Sequence, residues 1–320
     1  MLFIILLLLS FSLTYYIKNY YIKHSLLDEV NERSSHSVAT PHGGGIAIAL
    51  VWFLGLFYLY FTNEINTSLF FALLVGIIIS VVSFFDDIYD LSPKVRLVAQ
   101  ALVAIGGLYF LGGFQSLDFG IFSIETPVIT NLFGFLMIVW FINLYNFLDG
   151  INGYSGGEAL FLALSGFFLF GGGHFLVLAA AVLGFLYWNW GKAKIFMGDV
   201  GSTLLGYNIA IFTIYYANEN PSNFWIWIIL FALFWFDATV TLIRRKLNGE
   251  QLSLAHKKHV YQRLVQSGWS HAKVSSLGMT LNFVLFLLVF FIPSILISLI
   301  IVFILLSSVM IYVDKQKGFA

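Results

Sequence analysis

Cysteine is absent from the 320 residues. No disulfide can form, and no thiolate can act as nucleophile or metal ligand. Charge is also scarce: 10% of residues are Asp, Glu, Lys or Arg, where soluble domains carry about 25%. The 16 basic and 16 acidic residues cancel, so no electrostatic footprint for nucleic acid is visible. Apolar–polar alternation over ten-residue segments is missing, which argues against a β-barrel. The opening MLFIILLLLSFSLTYYIK lacks a basic n-region and an A-x-A cleavage site, so it reads as a first spanning helix and not a removed leader. No internal repeat or low-complexity linker interrupts the chain, which reads as one domain over residues 1–320.

What the chain has is hydrocarbon. Hydrophobic residues make up 60%, and they come in runs such as 69–85 and 281–310. A stretch of about 20 apolar residues matches the thickness of a bilayer. An all-α polytopic membrane protein is expected, in preference to a soluble helical core. Hydropathy predicts about 11 transmembrane helices. They lie near 1–17, 44–61, 67–85, 97–112, 129–147, 157–171, 174–188, 201–217, 223–243, 276–292 and 294–313. The glycines at 171–173 join the sixth and seventh spans. Pro293 divides the last apolar run, since proline breaks the helical ladder.

This count predicts where charge falls. The odd-numbered connections share one face, and every Lys and Arg lies there, from Lys18 to Lys317. The opposite face carries Glu64, Asp118, Glu125 and Glu219, without Lys or Arg. The positive-inside rule puts the basic face in the cytoplasm, the N-terminus outside and the C-terminus inside. Polar residues gather in the cytoplasmic connections, so chemistry is expected at that surface.

In SFFDDIYDLSPKVRL (83–97), a hydrophobic helix runs into Asp86, Asp87 and Asp90. Asp86 and Asp90 are one turn apart and are expected on one helical face. A helix C-terminus disfavours carboxylates, and neighbouring carboxylates repel. Lys94 and Arg96 offer plain compensation. The other reading is a site that handles a metal or a phosphate. In FMGDVGST, Asp199 stands at the mouth of the eighth span between Gly198 and Gly201. It caps that helix, or it gives a hard oxygen ligand to Mg²⁺ beside a phosphate.

In NLYNFLDGING, Asn143, Asn146 and Asp149 stand at i, i+3 and i+6 at a cytoplasmic helix end. They bind a uracil, a sugar hydroxyl or a metal-bound water, or they pack helices together. In AHKKHVYQRL, His256 and His259 are three apart and are expected on one helical face. The segment lacks the glutamate of a zinc H-E-x-x-H motif. Basic neighbours suit diphosphate, and a basic anchor on anionic lipid is the plainer reading. Asp237, inside the ninth span, joins the metal site or pairs with a basic loop residue.

Taken in order, DDIYD, NFLDG, IFMGDVGS and HKKHVYQRL resemble the polyprenyl-phosphate N-acetylhexosamine-1-phosphate transferases, glycosyltransferase family 4. The resemblance runs from RSSH at residue 33 to YQRL at residue 264. The HxxHxYQRL form looks like the O-antigen-initiating branch. It implies a multi-pass enzyme of the bacterial inner (plasma) membrane, with its active site facing the cytoplasm. The implied reaction moves a sugar-1-phosphate from a UDP-N-acetylhexosamine to undecaprenyl phosphate and releases UMP. The implied cofactor is Mg²⁺, with Mn²⁺ as substitute.

By the same resemblance, Asp199 binds the metal and Phe196 packs on uracil. Asp149 contacts the nucleotide, together with Asn143 and Asn146. Asp86, Asp87 and Asp90 serve catalysis and the lipid phosphate. His256 and His259 recognise diphosphate or sugar, and Arg33 and Arg263 join the substrate contacts. Two positions depart from the family pattern: Asn152 stands where relatives have the second aspartate of DGxDG, and His42 where they often have arginine.

Phosphoryl transfer needs positioning and charge neutralisation more than covalent help. Direct attack by the lipid phosphate is favoured, with Asp86 or Asp87 orienting it or accepting its proton; a phospho-aspartate route is the second mechanism. The sugar is expected to be N-acetylglucosamine or a 6-deoxy-N-acetylhexosamine. The sequence leaves homodimer formation open. Two other functions compete: a Mg²⁺-dependent intramembrane prenyltransferase and a transporter. The first usually has two aspartate-rich motifs, and the second has polar residues near the bilayer midplane.

Overall fold

The computed structural model describes residues 1–24, 27–28, 39–252, 254 and 256–319. Helices dominate them. In chain order these are α1 (Leu2–Lys23), α2 (Gly44–Phe61), α3 (Thr67–Leu74), α4 (Gly76–Tyr89), α5 (Pro93–Leu111), α6 (Pro127–Phe147) and α7 (Tyr154–Phe170). There follow α8 (Gly173–Asn189), α9 (Asp199–Glu219), α10 (Ser222–Leu230), α11 (Ala232–Leu247), α12 (Val260–Gln266), α13 (His271–Phe291) and α14 (Ile295–Gln316). Two antiparallel ribbons complete the described elements, Leu27–Asp28 with Thr40–Pro41 and Leu117–Asp118 with Ser123–Ile124.

The boundaries have local causes. Prolines open α5 and α6 at N1, where a missing N–H costs nothing and the fixed φ suits a helix. Asn66 caps α3 by accepting from the Ser68 amide at 2.8 Å. Pro293 separates α13 from α14, as hydropathy and proline chemistry predict.

Among the described residues, seven segments are long and apolar enough to cross a membrane: α1, α2, α3 with α4, α5, α6, α13 and α14. The pair α10–α11 makes an eighth if it is one span. The protein is an all-α, multi-pass membrane protein. The helices α7 and α8 are apolar but shorter, at 17 residues each. Helix α9 has 21 residues, and most are enclosed by protein, where Thr213 donates to the Ile209 carbonyl and Tyr207 to the Ala72 carbonyl.

Two expected spans are not simple helices. The third is interrupted at Val75, between α3 and α4. The ninth, expected as one helix over 223–243, bends by 75° at Phe231. A break inside a bilayer must satisfy the freed carbonyls. Trp235 does part of this, its Nε1–H donating to the Ile228 carbonyl at 2.8 Å.

Helix α9 packs against α2, α4, α6 and α10. Glycines set these distances. A Cβ on Gly206 would stand 2.5 Å from the Phe141 carbonyl oxygen of α6. A Cβ on Gly45 of α2 would stand 2.3 Å from the Gly201 amide of α9. Helices α2 and α9 therefore meet backbone to backbone at their first turns.

Candidate active site

Helices α4 and α9 are tied by Ser83 and Thr203, whose hydroxyls lie 2.9 Å apart. One turn onward on α4 is Asp87, and one turn back on α9 is Asp199. This register puts the Asp87 carboxylate at the start of α9, where it accepts from the Asp199 backbone N–H. Its Oδ2 lies 3.2 Å from where a Cβ on Gly198 would stand. Gly198 has φ 75°, a left-handed backbone that glycine adopts without steric cost.

The segment around residue 43 closes the same corner. The Phe196 amide donates to the Pro41 carbonyl at 2.8 Å, Gly44 donates to Phe196 at 2.9 Å and Gly45 to Met197 at 2.8 Å. The N-termini of α2 and α9 thus lie side by side. The amides of Gly44, Gly45 and Asp199 are already engaged, but the positive ends of two helix dipoles still favour an anion such as phosphate. His42 belongs here too: its charge bears on Asp199, and its ring meets Tyr21 edge-on at 5.4 Å. No motif marks Tyr21 of α1 as part of this corner.

Asn146 orients Asp199, donating from Nδ2 to the Asp199 Oδ1 at 2.8 Å and to the Ser202 hydroxyl at 3.0 Å. Asn143, one turn earlier on α6, does something else. Its carboxamide exchanges hydrogen bonds with Gln100 of α5, at 2.8 and 3.3 Å, and donates to the Val139 carbonyl at 2.7 Å. It joins two helices. Asp149 lies past the end of α6, so the expected i+6 helical position does not hold. Withdrawal from water raises its pKa to about 8; the Ser155 hydroxyl opposes this, and the charges of Asp199 and Asp87 add to it.

The three aspartates of DDIYD separate. Asp86 is buried, accepts from the Leu91 amide at 2.7 Å and pairs with Arg96 at 3.3 Å. Arg96 thus gives the plain compensation. Asp90 does not share a helical face with Asp86. Helix α4 ends at Tyr89, and Asp90 takes a left-handed conformation with φ 48°. Aspartate is among the few residues that tolerate this. The next helix begins at Pro93, which leaves no room to continue α4.

The histidines are likewise not on one helix. His259 is the N-cap of α12, and His256 lies in the loop before it. Their rings still stand 4.8 Å apart. Asp237 takes the second of its two expected roles: its Oδ1 faces His259 Nδ1 at 3.3 Å and accepts from the Val260 amide at 2.9 Å. Burial lowers the pKa of His256 to about 4, with the nearby charges of His259 and Arg245 adding to the effect. His256 is a neutral imidazole at ordinary pH.

Arg263 is 1% exposed. Its guanidinium is engaged by Asp314 at 2.6 Å and by the Lys317 carbonyl, a structural use in place of the expected substrate contact. Arg33 lies outside the described residues. Asn152 donates from Nδ2 to the Gly191 carbonyl at 2.8 Å, which a carboxylate could not do. Its departure from the family pattern has a local reason. The Tyr261 hydroxyl docks α12 onto the NFLDG loop through the Phe147 carbonyl at 3.1 Å.

Among the described residues, no three carboxylates or imidazoles stand ready as a complete metal sphere. Mg²⁺ does not need one. It commonly takes one or two carboxylates and fills its octahedron with water and substrate phosphate. Asp199 and Asp87, with Asp149 within electrostatic reach, fit that requirement as a donor set.

Comparison with known proteins agrees with this geometry. The glycosyl transferase family 4 profile matches residues 69–217. A probable undecaprenyl-phosphate N-acetylglucosaminyl 1-phosphate transferase of Bacillus subtilis is 33% identical over 298 residues, covering 84% of this chain and 78% of that protein. An undecaprenyl-phosphate alpha-N-acetylglucosaminyl 1-phosphate transferase of Thermotoga maritima is 27% identical over 270 residues, covering 81% and 80%. A decaprenyl-phosphate N-acetylglucosaminephosphotransferase of Mycobacterium tuberculosis is 28% identical over 286 residues, covering 76% and 70%. With a carboxylate cluster at a paired helix start and this extent of similarity, the chain belongs to glycosyl transferase family 4, the polyprenyl-phosphate N-acetylhexosamine-1-phosphate transferases.

Proposed function

We propose that the protein transfers N-acetylhexosamine-1-phosphate from a UDP-sugar to undecaprenyl phosphate, releasing UMP and starting a lipid-linked cell-envelope glycan such as O-antigen. The observation that carries this reading is the meeting of Asp87 and Asp199 at the adjoining starts of α2 and α9. The names of the relatives favour N-acetylglucosamine as the sugar.

In the reaction, an oxygen of the lipid phosphate attacks the phosphorus that bears the sugar. The bond from that phosphorus to the bridging oxygen breaks, and UMP leaves with the bridging oxygen. Asp199, held by Asn146, would hold Mg²⁺, with Asp87 beside it. When bound, the ion neutralises the diphosphate and withdraws charge toward the leaving phosphate. The positive dipole ends of α2 and α9 favour the phosphate charge. Asp87 accepts the remaining proton of the lipid phosphate, and Asp86 keeps the end of α4 in place through Arg96 and Leu91. Phe196 offers a ring for uracil, and Asp149 a contact to the nucleotide. His256 gives a neutral hydrogen-bonding group to the sugar or diphosphate.

The proposed topology is about 11 crossings of the bacterial plasma membrane, N-terminus outside, C-terminus and site in the cytoplasm. The distribution of Lys and Arg supports it. An apolar groove of about 500 Å³ between α6 and the bent α10–α11 pair, lined by Leu136, Trp140, Trp225 and Trp235 among others, suits an isoprenoid chain.

The test is direct. Purified protein is incubated with undecaprenyl phosphate, Mg²⁺ and a panel of radiolabelled UDP-N-acetylhexosamines. Labelled lipid and an equal amount of UMP are expected. Absence of both with every sugar would sink the reading.

A further inference from the structure

We propose that residues 314–319 form a clamp that positions the histidine loop, with Asp314 as its principal positioning residue. This rests on the reading above, in which that loop meets the UDP-sugar. Helix α12 has seven residues, too few to hold itself in water or at a membrane surface. Its position is set by what grips its start and its middle. At the start, the Asp237 carboxylate takes the Val260 amide and faces the His259 ring. Further along, Arg263 reaches the C-terminal segment.

The contacts there are dense. Arg263 donates to Asp314 Oδ1 through Nη2 at 2.6 Å and to the Lys317 carbonyl through Nε at 3.2 Å. Arg244, in the last turn of α11, donates to the same Asp314 oxygen at 3.0 Å. The Phe319 ring then receives three cations: Arg244 at 3.9 Å, and Arg263 and Lys258 at 5.4 Å each. Lys258 lies between His256 and His259 in the chain. The C-terminal segment therefore touches α11, α12 and the histidine loop together. Exposed ion pairs are weak, but Arg263 is buried. Removing its acceptor leaves a desolvated guanidinium short of a partner, a far larger disturbance. A displaced Arg263 shifts α12, and His259 at its cap moves with it.

Asp314→Ala, Asp314→Glu and Phe319→Ala in the full chain test this. Asp314→Ala should speed hydrogen exchange across residues 256–266. It should also raise KM for the UDP-sugar about tenfold. The KM for undecaprenyl phosphate should stay near wild type. Asp314→Glu should restore most of the loss, and Phe319→Ala should give a smaller shift in the same direction. Unchanged exchange at 256–266, or faster exchange with unchanged KM for the UDP-sugar, overturns the clamp. So does an equal loss toward both substrates with a fall in melting temperature, which marks general loosening. Exchange is read without turnover. Faster exchange in a protein that transfers nothing would leave the clamp standing and remove the functional reading instead.

Discussion

On one side of the site, Asp87, Asp149 and Asp199 bear on one another through charge. On the other, the cations of the histidine region are paired off: Arg245 and Lys258 with Glu250 at 3.0 and 2.9 Å, and Arg244 and Arg263 with Asp314. The first arrangement is incomplete without a cation, since carboxylates grouped away from water repel. The second is partly neutralised, four cations sharing two carboxylates, and its buried arginines act as a frame.

The largest expected effect is on the incomplete side. Asp199→Ala should lower kcat/KM by about a thousandfold, and added Mn²⁺ should not recover it; near-normal turnover would remove Asp199 from the metal site. Next comes the pair of carboxamides, one turn apart on α6. Asn146→Ala should weaken apparent Mg²⁺ affinity by about 10- to 100-fold, as loss of a group that orients a ligand does. Asn143→Ala should leave that affinity unchanged and lower the melting temperature slightly, by roughly 0.6–2 kcal/mol of helix pairing. Equal effects of the two on Mg²⁺ affinity would break the distinction.

A third expectation concerns pH. Asp149 holds its proton in the folded protein up to about 8, while an unfolded aspartate loses it near ~3.9. Between these values the folded state binds the extra proton, so stability contributed by Asp149 falls as pH rises toward 8. Melting of the metal-free protein should show this slope, and Asp149→Asn should flatten it. The smallest effect is on the framed side. His256 is neutral above about 4, so His256→Gln should leave the shape of the pH–rate profile unchanged between about 5 and 8.

The apolar helices were legible because hydrocarbon length, Pro293 and the glycines at 171–173 mark them. The polar residues of the candidate site stood out because the rest of the chain is apolar. The bend at Phe231 was not, since LFALFWF contains neither proline nor glycine, and the bend is stabilised by an indole bond from Trp235. Asn143 and Asn146 look alike in sequence. Gln100 and Asp199 distinguish them, one from α5 and the other from α9. Arg263 read as a substrate contact because its partner lies 51 residues away. Those pairings arise from tertiary packing, which periodicity does not encode.

The contact between Gly45 and Gly201 bears on how the enzyme turns over. Their backbones are too close for even a methyl group, and the flanking segments are tied by amide bonds from Gly44 and Gly45. The phosphate-facing edge has no slack to open. Release of spent nucleotide has to come from movement elsewhere than this α2–α9 seam.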